Sequence, residues 1–105
     1  MKLLNKILLG TLLIFQLSFS ATIGSTTQLL DQAQQAIKEA FEAGCPKHTP
    51  YEYYKAEAYY QVAKNEASLL NLDTSRAASL KAMEWALKAI TKRFNDEIIK
   101  ERNGK

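Results

Sequence analysis

Both prolines of this 105-residue chain fall in one short segment, Gly44-Cys45-Pro46-Lys47-His48-Thr49-Pro50. A proline inside a helix removes a backbone hydrogen bond and clashes with the turn before it. The chain must therefore turn here, and it is free to be helical on either side. Before the corner, Leu29, Ala33, Ala36, Ile37, Ala40 and Phe41 recur at spacings of three and four. After it the same periodicity resumes and continues almost to the end. This is the spacing of amphipathic helices, and no run alternates in the manner of a strand.

Local punctuation gives the predicted bounds. Ser25 with Gln28 has capping-box spacing, and Gly44 suits a left-handed helix end, so the first helix is expected over 25–43. Thr49 is expected to cap a second helix, with Pro50 at its first position and Glu52 reaching back, and that helix to run over 50–71. Asp73 or Thr74 is expected to cap a third, over 75–101. The fold class predicted is all-α: an antiparallel helical hairpin with a shorter N-terminal helix, bundle-like, in a single domain over 21–105.

The first twenty residues read differently. Lys2 and Lys6 precede an apolar run from Ile7 to Phe19, and Ser18 and Ser20 are small residues at a cleavage position. This is the layout of a secretory signal peptide, cleaved after Ser20, and the run is short for a membrane span. The protein is thus expected to be exported, to the periplasm, with no span left after cleavage. Losing Lys2 and Lys6 leaves twelve basic residues against eleven acidic ones. A near-neutral chain without basic runs gives no reason to expect nucleic acid as a partner. With one cysteine there is no internal disulfide, so a small core must hold the fold.

The second and third helices each carry two apolar faces. On the second, Tyr53, Ala56, Tyr60, Ala63, Ala67 and Leu70 form one seam; Tyr51, Ala58, Val62 and Leu69 lie nearly opposite, with Tyr54 at their margin. On the third, Leu80, Met83, Leu87, Ile90, Phe94 and Ile98 form one seam, and Ala78, Ala82, Trp85 and Ala89 the other. A simple three-helix bundle needs one apolar stripe per helix. Opposed stripes require neighbours on both sides. The second faces are therefore the candidate partner contacts: Tyr51, Tyr54, Val62, Leu69 and Trp85. A protein partner or homo-oligomer is expected there, and a cell-wall glycan stacked on the aromatic side is the alternative.

Ala33, Ala36, Ala40, Ala43-Gly44, Pro50, Tyr53, Ala56, Ala63, Ala82, Ala86 and Ala89 together resemble the domain-of-unknown-function family numbered 4398. These are small alanine-rich helical domains of the bacterial envelope. The resemblance implies an envelope protein and offers no catalytic residues. Cys45 and Thr49 depart from it, standing where the family often has alanine. No OmpA-like domain follows, so peptidoglycan binding is not implied.

No catalytic constellation is legible. The single histidine has no Ser or Asp partner at a motif spacing, and no Gly-rich phosphate loop exists. Cys45-Pro-Lys-His48 could supply half a zinc site, but no other Cys or His completes it, so no metal or cofactor is expected. Cys45 lies too far behind the apolar run to be a lipid-attachment site. An unpaired thiol in an exported protein leaves two readings: a disulfide to a second copy, or a small residue buried at the corner. The chain is expected to be a non-enzymatic interaction or scaffold module that self-associates.

Overall fold

The structure is a computed structural model that describes residues 25–104, so the expected signal peptide lies outside the described residues. It is all-helical: α1 (Thr26–Glu42), a single turn α2 (Cys45–His48), α3 (Pro50–Ser68) and α4 (Leu72–Asn103). No strand occurs among the described residues. α1 and α3 both pack mainly on α4 and less on each other.

α1 starts where its cap predicts. The Gln28 backbone N–H donates to Ser25 Oγ at 3.2 Å, and the Ser25 N–H donates to Gln28 Oε1 at 2.9 Å. Two arginines of α4 then hold its ends. Arg76 Nη1 donates to Thr26 Oγ1 at 3.2 Å, and Arg93 Nε donates to the Ala43 carbonyl at 3.2 Å. The two contacts are equally spaced along both helices, so α1 runs parallel to α4 and antiparallel to α3.

At the corner Gly44 takes φ +82°, and a Cβ there would be strained and crowd the His48 ring. The chain then coils immediately into α2. Pro46 sits at the second position of this turn, where its missing N–H goes unneeded. Thr49 does not cap α3 as expected. Its side chain bonds none of the first N–H groups of α3. Instead Oγ1 donates to the Ala89 carbonyl at 3.1 Å in a fully buried position. Glu52, expected to reach back, pairs with Lys92 at 3.3 Å. Both residues thus tie the corner to α4 rather than close a local cap.

α3 stops three residues before the expected end. The Asn71 N–H bonds the Glu66 carbonyl and the Leu70 N–H bonds that of Ala67. This is a Schellman closure with Leu70 at the left-handed position, φ 63°. So short a turn lets α4 begin at Leu72, and the expected caps Asp73 and Thr74 lie inside it. Asp73 still serves the helix as an acidic residue in its first turn, paired with Arg76.

The core consists mostly of small residues. Ser75, Ala78, Ser79, Ala82, Ala86 and Ala89 make the buried face of α4, opposite Ala33 and Ala40 of α1 and Ala56 and Ala63 of α3. Among the described residues only Leu29, Ile37 and Tyr53 are large buried apolar residues. Ser75 Oγ donates to the Ala63 carbonyl at 2.7 Å, which brings the α3 backbone directly onto α4. Side chains this small let helix axes approach to roughly 8 Å, the short end of the usual range. Replacing Ala86, which has no exposed surface, with Leu should push the helices apart. Chemical denaturation should show a loss of about 1–3 kcal/mol; an unchanged midpoint would contradict this packing.

Candidate interaction surface

The alanine face of α4 was one of two seams that could have faced inward, and it is the buried one. This corrects the assignment of that seam to a partner. The larger side chains of the other seam lie outside: Leu80, Leu87, Phe94 and Ile98 are all more than half exposed, Leu87 to 64%. Met83 and Ile90 pack at the edge of the core. α4 also outruns its neighbours. Its last buried residue is Ala89, and every residue from Phe94 to Asn103 is exposed. This overhang of ten residues is about 15 Å long.

Of the residues singled out in the sequence, Tyr51, Tyr54, Val62 and Leu69 are exposed and Trp85 is half-buried. They do not form one patch. Tyr51 and Trp85 meet edge to face, with ring centroids 5.9 Å apart, across the seam between α3 and α4. Two lysines cover the pair: Lys55 and Lys88 lie 4.5 and 4.4 Å from the Trp85 ring centre. Lys55 also donates to the Tyr51 hydroxyl at 3.1 Å, which raises its pKa. Lys88, with Lys81 behind it, lowers the pKa of Glu84. The indole is thus already occupied by cation–π contacts within the chain and offers little bare ring.

Tyr54 faces elsewhere. It stacks edge-on against Tyr53 at 5.1 Å, and Phe41 approaches Tyr53 at 6.5 Å. Burial, then the Glu57 carboxylate beside it, push the Tyr53 phenol well above its ordinary pKa, so it stays a neutral donor. Tyr53 forms part of a groove of about 570 Å³ between α1 and α3. Phe41 and Tyr60 supply its other aromatic walls; Gln34, Gln61 and Glu57 are among its polar rim. The sequence showed these aromatics but not that α1 and α3 would splay and leave room between them.

Cys45 has no exposed surface and belongs to the core. A disulfide to a second copy would need the corner to open. His48 lies on the surface of α2, and no group of three metal-binding side chains exists among the described residues. No described helix is long and apolar enough to cross a membrane.

The turn between α3 and α4 adds to the outer apolar surface. Leu69, Leu70 and Leu72 are all exposed, Leu70 to 80%. Leu70 gains almost no burial there and occupies a backbone region that disfavours a side chain by about 1–2 kcal/mol. The hydrogen bonds of the Schellman closure offset that cost, and burial of the side chain does not. No protein-family model, curated protein or solved structure matches the chain. Leu70→Gly should relieve the strained turn and stabilise the isolated protein by about 1 kcal/mol in chemical denaturation. Destabilisation would mean that Leu70 is held by contacts within the chain.

Proposed function

We propose that the protein is a non-enzymatic helical interaction module of the cell envelope, and that it self-associates through its outer apolar side chains. One observation carries the reading. Small residues fill most of the interior, while Leu80, Leu87, Phe94 and Ile98 make an exposed row along one face of α4, with Glu84 and Thr91 between them. Burying a side chain of this size contributes about 1.5–3 kcal/mol, against about 0.8 for one methyl group. About half of what these four side chains could contribute is therefore still unused in the monomer. A row of large exposed apolar side chains on one helix face is the feature expected of an interaction site. The signal-like N-terminus and the likeness to alanine-rich envelope domains support the location.

A second reading rests on the groove between α1 and α3. Aromatic walls with an amide and carboxylate rim suit a sugar or another small polar ligand. The glycan alternative is better placed there than on the lysine-covered Tyr51 and Trp85. Light scattering at micromolar concentration separates the two readings. Self-association predicts a dimer or larger species, and Leu87→Glu with Phe94→Glu should return a monomer of unchanged helix content. A wild-type monomer would overturn this reading. If that monomer sediments with peptidoglycan sacculi, and Tyr60→Ala abolishes sedimentation, the groove is the functional site.

A further inference from the structure

We infer that α4 pairs with α4 of a second copy in antiparallel orientation, with Leu87 at the two-fold axis; this rests on the self-association proposed above. Three of the four residues of the stripe are symmetric about Leu87; Ile98 has Arg76 as its counterpart. Leu80 precedes it by seven residues and Phe94 follows it by seven, and all three are more than half exposed. A seven-residue repeat keeps side chains on one seam of a pair of helices wound around each other. Leu87 also stands at the middle of α4, which runs from Leu72 to Asn103. An antiparallel pair centred there sets Leu80 against Phe94 of the second copy, Leu87 against its own copy, and overlaps the helices along their whole length. Such a contact is isologous and closes at two.

The overhang and the charges favour the same arrangement. None of residues 94–103 is buried in its own chain, and in this pairing they lie along the first turns of α4 of the second copy. Near one end of α4 stand Asp73 and Arg76, near the other Lys100, Glu101 and Arg102. In this register Asp73 stands level with Glu101 and beside Arg102, and Arg76 lies within a turn of Glu101. A parallel pair would set each of these charges against its like. Helix dipoles are likewise opposed only in the antiparallel arrangement. The occupant that these features fit is a second copy of this chain.

Cross-linking through one added cysteine in the full protein tests this, with wild type as control because its own Cys45 is buried. Under mild oxidation Leu87→Cys should form a disulfide dimer with itself. Leu80→Cys or Phe94→Cys alone should not, since like positions would stand about 21 Å apart along the pair, beyond the roughly 7 Å a disulfide can span. Mixing those two variants should restore cross-linking. Self-cross-linking of Leu80→Cys and Phe94→Cys would show a parallel pair and overturn the inference. So would a failure of all three to cross-link in protein that light scattering shows to be dimeric, although self-association would then stand. A monomeric mass would remove both.

Discussion

The close approach of small residues is the constraint from which the other features follow. Ser75, Ala78, Ser79, Ala82, Ala86 and Ala89 leave α4 with no bulk on its inner face. α1 and α3 can then lie almost backbone to backbone against it, and the hydroxyls of Ser75 and Thr49 bond directly to carbonyls of neighbouring helices. An interface of this kind has little space for large side chains, and Leu29, Ile37 and Tyr53 are the ones it buries among the described residues. Most of the other large apolar residues lie on the outer faces, at the turn between α3 and α4, or on the overhang. The surface and the core are two results of one packing choice.

That choice shapes the energetics. Alanine burial gains little hydrophobic free energy per residue, though alanine loses no side-chain entropy on ordering and has the highest helix propensity. Hydrogen bonds and ion pairs between elements supply further ties: Arg76 to Thr26, Arg93 to the Ala43 carbonyl, and Lys92 to Glu52. Exposed ion pairs of this sort contribute at most about 1 kcal/mol each. The monomer is thus a scaffold of modest stability carrying an unsatisfied apolar surface, and covering that surface would stabilise it by mass action.

Much of the fold was legible in the sequence. The helical class, the Ser25 and Gln28 cap, the corner at Gly44 and the start of α3 at Pro50 all came from local chemistry. What was missed depended on tertiary contact. Thr49 and Glu52 have the spacing of a cap, yet α4 competes for both side chains and wins. The Schellman turn was hidden because Leu70 occupies a position where glycine is the usual signal. Two seams of α4 had the periodicity of a core, and periodicity cannot say which one is inside. The serines at 75 and 79, interleaved with alanines, were the available clue, because hydroxyls on an otherwise apolar face fit a close helix contact. Of the candidate contacts, Tyr51 and Trp85 proved to be engaged with lysines of their own chain. The stripe through Leu87 emerged only once the alanines were seen to be buried.

The central claim is that α4 is completed by something outside its own chain. Amide hydrogen exchange over residues 94–103, followed as a function of protein concentration, tests it most directly. An unsupported helix end frays and exchanges rapidly. The account predicts that protection of these amides rises with concentration, in step with the formation of a dimer. Rapid exchange at every concentration would contradict it.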